Sequence, residues 1–236
     1  MKYITILLSL FFAGTVSAQS FYIDTGLKAQ AGATALINKS VNDHPSWNYD
    51  IGTGFAFGGK VGFNFEDHGI TVDVMFNKGE SQFEFDGNQN FVTEYATTDI
   101  YLLYRLSRYR GYLELGPKIN MVRNVENRAL DGTVEDVTGF YEDNSYSGVL
   151  GFGTYLIGTD GRFSGIFGLR FEYGFTDLLN QEMGESLGLP IRQDALYADG
   201  YNTTVPFFAG LVFEMNWGIG YYGKASCGAR GKFIFL

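Results

Sequence analysis

The sequence predicts an all-β fold: an eight-stranded antiparallel up-and-down transmembrane β-barrel. Apolar and polar residues alternate with a period of two in about eight segments, as in residues 113–121. These segments are rich in Gly, Phe and Tyr, and short and long connections alternate between them. Strands that face lipid on one side and a polar lumen on the other show this combination, whereas a soluble sandwich buries its apolar residues instead.

The N-terminus predicts a signal peptide over residues 1–18. Lys2 precedes a short apolar run at residues 4–12, and small residues end at Ala18. The run is too short for a membrane helix, which needs about 20 apolar residues. No Cys lies near the cleavage site, which argues against a lipid anchor. Residues 19–236 then form one barrel domain.

The composition supports this class and excludes others. The chain has 32 Gly, 22 Phe and 16 Tyr but only 4 Pro, which suits curved strands and aromatic girdles. A net charge of −9 argues against a nucleic-acid partner. Cys227 is the single Cys and cannot form an internal disulfide. We expect it to be a plain thiol, with intermolecular pairing as the alternative.

Four strands are predicted in the first half of the chain. In each segment most of the residues predicted to face outward are apolar, and most of those between are polar or small, with Tyr101 and Leu103 as inward exceptions. In the third segment the apolar parity changes at Phe83 and Phe85. This predicts either a bulge near Lys78 and Gly79 or a strand that projects beyond the bilayer with a changed register. The predicted strands are residues 21–33, residues 55–65, a third beginning at Ile70, and residues 97–107.

Four further strands follow in the second half. Gly148, Gly151 and Gly153 blur the alternation of the sixth strand, so its phase stays open. The sequence Gly-Thr-Asp-Gly at residues 158–161 strongly favours a turn. The eighth strand is rich in Gly and Phe. The predicted strands are residues 112–122, 147–157, 163–175 and 205–217.

Tight and long connections alternate along the chain. Barrels of this kind place short turns on the periplasmic side and long loops outside, so both chain ends are expected on the periplasmic side. The tight turns are predicted around Asp67, Tyr109 and Asp160, and the long connections at residues 34–54, 86–96, 123–146 and 176–203.

The inward-facing residues of the predicted strands are almost balanced in charge. Side chains can fill the interior of an eight-stranded barrel, and an unpaired buried charge is costly. We therefore expect a charge-paired plug; a narrow ion path or a small-ligand site is the alternative. The predicted lumen network consists of Asp24, Lys28, Lys60, Asp73, Asp99, Arg105, Glu114, Lys118, Arg170, Glu172 and Glu214.

The third and fourth long loops carry many more acidic than basic residues. We interpret them as solvated loops; the alternative is that they hold divalent cations near anionic lipopolysaccharide. Residues 131–136 lack the alternating oxygen ligands of a calcium loop. Two His and one Cys argue against a zinc site. No metal or cofactor is expected.

No catalytic residue is predicted. His44 lies beside Asp43 and near Ser46 in the first long loop, a set that some outer-membrane enzymes use. Here the three are sequence neighbours with no sign of a nucleophile held by a base, and a surface turn explains them more simply. His68 has no partner motif.

The C-terminal segment, residues 218–236, is basic and aromatic. On the periplasmic side it would either cap the barrel or contact a periplasmic partner. Phe233 and Phe235 are similar to the aromatic end that barrel insertion machinery recognises, whereas Leu236 departs from the commoner terminal Phe.

The signal ending at residues 16–19, the eight alternating strands and the Gly/Phe-rich last strand resemble the small outer-membrane β-barrels of Bacteroidetes, often called PorT-like. The architecture is also similar to OmpA and OmpX barrels. The resemblance covers the mature chain and implies a location in the bacterial outer membrane. It transfers no catalytic residue. PorT-like proteins include a component associated with protein secretion.

The leading functional hypothesis is a non-enzymatic barrel with a structural or surface-interaction role through its acidic outer loops. The alternatives are an accessory subunit of a secretion or envelope complex and a narrow channel; a hydrolase or acyltransferase is least favoured. The expected partners are outer-membrane lipid and lipopolysaccharide, the barrel insertion machinery, and a periplasmic or surface protein.

Overall fold

The computed structural model describes residues 21–38, 43, 47–85, 89–129, 132–158, 163–180 and 203–219. The predicted signal peptide, Cys227, His44 with Ser46, and residues 220–236 of the predicted tail lie outside these ranges.

The described chain is almost entirely β-strand. Eight strands are long, β2 and β7 are short, and one 3₁₀ turn covers Thr138–Phe140. In chain order the strands are β1 (Phe21–Asn38), β2 (Trp47–Asp50), β3 (Gly52–Phe65), β4 (His68–Phe85), β5 (Gln89–Arg108), β6 (Gly111–Arg128), β7 (Val134–Asp136), β8 (Asn144–Ile157), β9 (Phe163–Gly174) and β10 (Thr204–Ile219).

The eight long strands form a ring in which each pairs antiparallel with its sequence neighbours. β1 pairs with β3 on one side and with β10, the last strand, on the other. The pairing of β4 with β5 completes the circuit. The predicted fold class, all-β with eight antiparallel strands in up-and-down order, is therefore confirmed.

No helix among the described residues is long and apolar enough to cross a membrane.

The two faces of the wall have opposite polarity. On β3, Phe57 is 59% exposed while the inward Lys60 is 3% exposed. On β6, Leu115 is 58% exposed and Glu114 only 1%. Successive side chains of a strand point to opposite faces, so the alternation in the sequence becomes an apolar exterior and a polar interior.

The tight turns gather at one end of the ring. Glu66 and Tyr109 occupy the turns β3–β4 and β5–β6 with φ of 55° and 57°, in the left-handed region that few non-glycine residues adopt. The turns predicted at Asp67 and Tyr109 are present. Of the turn predicted around Asp160, residues 159–162 lie outside the described part of the chain.

The strands extend further toward the long-loop end than the sequence predicts. The long connection predicted at residues 86–96 is wrong, because β5 begins at Gln89 and pairs with β4 up to that residue. The cause is a change of surroundings along the strand. Glu94 points outward and Tyr95 is buried inside, so this part of β5 lacks the apolar-outward alternation that identifies the rest.

The predicted bulge near Lys78 and Gly79 is also wrong. β4 pairs with β5 without a shift through both residues, and odd-numbered positions stay inward from Thr71 to Phe83. Polarity changes instead of register: beyond Gly79 the outward residues Glu80, Gln82 and Glu84 are polar, while the inward Phe83 is buried among apolar residues. The barrel thus continues past its apolar band with an ordinary water-soluble arrangement.

An irregularity does occur one strand away. The register of β5 with β6 jumps from Ala96↔Asn124 to Thr97↔Val122, leaving Arg123 as the extra residue. Its effect is visible on β6, where inward positions are even up to Asn120 and odd at Val125 and Asn127. A bulge of this kind re-aims the end of the strand.

The phase of β8, left open by its glycines, is resolved by the structure. Ser145, Ser147, Val149 and Gly151 point inward and are buried, whereas Leu150 on the opposite face is exposed.

Candidate functional site

The barrel interior brings together all eleven residues of the predicted lumen network. Each is buried, and each has at least one partner of opposite charge within 4.0 Å. Their spacing of two along each strand aims them at the axis, and the ring of eight strands brings distant parts of the chain within contact.

Glu214 is the centre of the part of this network that lies farther from the long-loop end. Arg105 donates to both of its oxygens, with Nη1–Oε1 at 2.7 Å and Nη2–Oε2 at 2.8 Å. Lys60 Nζ lies 2.6 Å from Oε1, and Lys28 Nζ lies 3.1 Å from Oε2. Three cations on three strands therefore share one carboxylate, and Lys60 also faces Asp24 at 3.4 Å.

Glu114 forms the second hub. Arg105 Nη2 donates to its Oε2 at 2.6 Å, and Arg170 Nη2 donates to its Oε1 at 2.5 Å. Asp73 accepts from Lys28 at 2.5 Å. These contacts join Asp24, Asp73, Glu114 and Glu214 to Lys28, Lys60, Arg105 and Arg170. Four acids against four bases make this group formally neutral, which limits the cost of burying it.

A smaller group lies nearer the long-loop end. Lys118 Nζ is 2.9 Å from Asp99 Oδ2 and 2.6 Å from Glu172 Oε2. Two carboxylates against one ammonium leave a formal charge of −1 among these three residues. Hydrogen bonds compensate part of the deficit, because Tyr101 donates to Glu172 at 3.0 Å and Thr97 donates to Asp99 at 2.6 Å.

Two neutral side chains that the network prediction omitted connect the groups. Gln30 accepts from Arg170 Nη1 at 3.1 Å and donates to Glu172 at 3.4 Å. The Tyr101 ring lies between two cations, 4.9 Å from the Arg170 guanidinium and 5.2 Å from Lys118 Nζ. The sequence signal for Gln30 and Tyr101 is their inward position on the strand. The predicted network contains only charged residues and therefore leaves these two out.

Apolar side chains complete the filling at the same level. Ala56, Met75, Leu103 and Val149 form a buried cluster with the Tyr101 ring. Charged layers and apolar packing together occupy the axis, so the interior has the character of a plug.

A second apolar cluster lies at the long-loop end, and we call it the outer cap. It combines inward residues of the strands with described residues of the third and fourth long connections, which pack against them. Its buried members are Leu36, Phe83, Tyr95, Val125, Val137, Tyr141, Leu178 and Leu179.

Between the plug and the outer cap lies a small cavity of about 30 Å³. Lys118 and Glu172 form its floor, Tyr141 and Leu178 belong to its roof, and Thr97, Asn120, Ser145 and Ser147 contribute to its polar wall. A void needs roughly 10–15 Å³ on this scale to hold one water, so about two water molecules fit.

The third long connection carries its own ordering contacts. Asp136 Oδ1 accepts from the Thr138 backbone N–H at 3.0 Å and from Thr138 Oγ1 at 2.7 Å. These hydrogen bonds favour the ionised form and lower the pKa of the Asp136 carboxyl below its usual range. β7 pairs with β6, and the Val125 N–H donates to Thr138 Oγ1 at 2.8 Å, so the following 3₁₀ turn also contacts β6.

Other sequence candidates are not assembled into a site. His68 lies exposed at a tight turn, where its ring hydrogen-bonds the Tyr104 hydroxyl. Asp43 is exposed, and its sequence neighbours His44 and Ser46 lie outside the described residues. Within the described ranges, no group of three or more His, Cys, Asp or Glu side chains is arranged to hold a metal ion.

Solved structures that align with this chain include two proteins from Neisseria. Neisserial surface protein A aligns with a TM-score of 0.37 and 11% identity, covering 84% of this chain and 96% of that one. The translocator domain of the autotransporter NalP from Neisseria meningitidis aligns with a TM-score of 0.28 and 6% identity, covering 92% and 94%. No protein-family model and no curated protein matches. These similarities are too low to carry an inference about function.

Proposed function

We propose that this chain is a non-enzymatic β-barrel of the bacterial outer membrane, with a closed lumen and a structural or surface-interaction role through its acidic outer loops. One observation carries the proposal: in the apolar band of the wall, the inward charged residues are buried and the large outward apolar residues are exposed, the reverse of a water-soluble protein. Such a surface is stable in lipid. A sheet with an unpaired edge strand is not, because its backbone N–H and C=O groups would lack partners, and the closed ring of long strands has no such edge.

The dimensions of the apolar band support the membrane placement. On β6 the outward residues from Leu113 to Met121 are apolar, which makes a span of nine residues. A tilted transmembrane strand needs about 9–11 residues. Beyond this span Arg123 is exposed, as expected where the wall leaves the hydrocarbon.

The plug and the outer cap support a lumen that does not conduct. An ion would have to displace the paired charges around Glu214 and the apolar side chains of the cap. The loop side supports an outward-facing role, because Glu135, Asp136, Glu142 and Asp143 are all exposed there.

Membrane placement is tested by gel mobility with and without boiling, using protein extracted from purified outer membranes. A compact band that shifts on boiling is expected. Recovery in the soluble periplasm without detergent, with no shift, would overturn the proposal. Reconstitution in planar bilayers is expected to give no steady conductance, and a reproducible open-channel current would refute the closed lumen.

The orientation is tested with two epitope insertions. Gly132 has a φ of 84° and open space around its α-carbon, so an insertion there leaves the strands intact. Antibody should label intact cells through this site but not through a matched insertion at Tyr109 in a tight turn. The reversed pattern would contradict the outward-facing role of the long loops.

A further inference from the structure

A β-bulge directs Arg123 across the outer face of the wall, just beyond the apolar band. Arg123 is the extra residue of β6 where the register with β5 jumps between Ala96 and Thr97, so it has no register partner on β5. Its exposed side chain crosses β5 and reaches Phe76 on β4. Bulges re-aim side chains in this way and are common beside functional sites.

Two contacts hold the guanidinium of Arg123 at the edge of the band. Its Cζ lies 5.6 Å from the centre of the exposed Phe76 ring, which is a cation–π distance. Its Nη2 donates to the Thr97 carbonyl at 3.3 Å. A guanidinium has five N–H donors, and this is the one hydrogen bond that Arg123 makes to a described residue. The other donors are therefore available to a ligand.

Lys78 supplies a second cation beside Arg123. It points outward two residues after Phe76 on β4, about 7 Å farther along the strand. Between β4 and β6 at this height lies Ala96, which is the register partner of Lys78. Because the Ala96 side chain is small, the wall leaves space between the two cations.

The ion pair of Lys78 does not tie it down. Lys78 Nζ lies 3.2 Å from Glu94 Oε2, and the Lys78 side chain is 58% exposed. An exposed pair of this kind contributes little to stability. Arg128 Nη2 contacts the other oxygen of the same carboxylate at 2.7 Å. Glu94 therefore keeps a partner when Lys78 turns toward a ligand.

Three carboxylates lie one step farther from the apolar band. Glu80, Glu94 and Glu126 are register partners in one row across β4, β5 and β6. Thr53 Oγ1 donates to Glu80 at 3.0 Å, and Asn124 Nδ2 donates to Glu126 at 2.9 Å. This row repels an anion at its own height, so it confines an anion to the level of the two cations at the band edge.

We propose that Arg123 and Lys78 bind the phosphate group of a membrane lipid. A phosphate monoester carries roughly 1.5 to 2 negative charges at neutral pH, which two cations match. A guanidinium binds phosphate through two parallel hydrogen bonds. The hydrocarbon chains of the lipid then lie over the outward apolar residues of β4 and β6. This inference rests on the proposed membrane placement, which puts the edge of the apolar band at the head groups.

The test uses the full-length protein in neutral detergent micelles. The probes are dioleoyl phosphatidic acid, dioleoylglycerol without the phosphate, and oleic acid with a negative charge but no phosphate. Native mass spectrometry counts the retained molecules, and shifts of the Ala96 and Asn124 amide signals in NMR locate them. Phosphatidic acid is expected to bind most tightly. Inorganic phosphate in large excess should not displace it, because the chains on the apolar band supply part of the affinity.

Three variants test the assigned residues. Arg123→Gln should weaken phosphatidic acid at least about tenfold, since it removes a bidentate, charge-assisted contact. Lys78→Gln should weaken it about threefold, as for an exposed charge. Neither should change the binding of dioleoylglycerol. Arg108→Gln is the matched control: Arg108 is also exposed and lies over an aromatic ring, Tyr109, at 5.7 Å, but at the tight-turn end of the wall.

Equal binding of phosphatidic acid and oleic acid would overturn the inference, because charge alone would then explain it. Displacement by inorganic phosphate would replace the lipid with a free anion, and an equal effect of Arg123→Gln and Arg108→Gln would remove the site from this part of the wall. The heat-dependent gel shift is measured on every sample. A normal shift without phosphate-dependent binding refutes this site alone, whereas absence of the shift refutes the membrane placement.

Discussion

Lys28 and Glu214 are direct register partners on β1 and β10, and their Nζ and Oε2 atoms lie 3.1 Å apart. The first and last strands of the ring are thus joined by backbone pairing and by a buried charge pair at the same height. Since Arg105 and Lys60 contact the same carboxylate, Glu214 connects β10 to β1, β3 and β5.

Glu214→Gln is expected to destabilise the barrel by about 3–5 kcal/mol, because it leaves buried cations without their shared partner. Urea unfolding of the protein in lipid vesicles, followed by tryptophan fluorescence, measures this change. The matched control is Lys78→Ala, which breaks a pair with Glu94 at 3.2 Å where the Lys78 side chain is 58% exposed. Its cost should be about 0–1 kcal/mol. Similar costs for both variants would contradict a central role for Glu214.

Leu211→Arg places a charge in the middle of the apolar band of β10, where Leu211 is 48% exposed. We expect a cost of about 2–4 kcal/mol, as for basic residues at the bilayer midplane. Vesicle-based unfolding measures it. Val134→Arg on β7, which is 50% exposed and pairs with β6 beyond the apolar band, should cost little. Tolerance of Arg at Leu211 would show that this surface faces water.

Cysteine scanning along β4 tests the change of polarity past Gly79. In a Cys227→Ser background, an environment-sensitive dye at Phe76 should report lipid, and the same dye at Gln82 should report water. Both positions point outward in the same strand, so only their depth differs. A lipid signal at both would mean that the band extends to the end of the strand.

Phe83→Ala removes a fully buried ring of the outer cap. The expected cost is about 3–5 kcal/mol if the cap unfolds together with the barrel. Amide hydrogen exchange should also accelerate in residues 132–143 and 175–180, which supply Val137, Tyr141 and Leu179 to the same cluster. Gln82→Ala, the outward neighbour, is the control. Unchanged exchange in both loops would show that the cap does not depend on this ring.

The lowered pKa of Asp136 predicts a loop that loosens in acid. A group with a lowered pKa in the folded state stabilises it above the pKa of the unfolded chain. This contribution is lost as the pH falls through the folded pKa. The Thr138 amide signal in NMR should therefore shift at a pH below the usual titration range of an Asp carboxyl. In Asp136→Asn the amide signal should show no such titration, and a titration that persists in this variant would assign it to another group.

The sequence predicted the strands well in the apolar band. In this zone the contrast of Phe57 with Lys60, or of Leu115 with Glu114, marks an apolar outer face and a polar inner face. It also selected the inward charges, because parity and charge coincide there. The sequence could not predict which of these charges pair with one another. The contacts of Glu214 with Lys28, Lys60 and Arg105 depend on the stagger of the strands around the ring.

The prediction of strand bounds failed where the polarity of the outer face changes. At Phe83 and Tyr95 the strands continue, but polar residues replace apolar ones outside and apolar packing replaces charge inside. A prediction that expects apolar residues on the outer face throughout interprets this reversal as a bulge or a loop.

In the proposed membrane placement, the change of polarity on β4 also limits how far the barrel can move along the membrane normal. A shift of the barrel inward by two residues, about 7 Å along a strand, would draw the outward Glu80 and Glu94 into hydrocarbon. The opposite shift would lift Phe76 into water. Each displacement costs on the order of a few kcal/mol. In the proposed membrane placement, the polarity of the wall itself therefore holds the barrel at one depth in the bilayer.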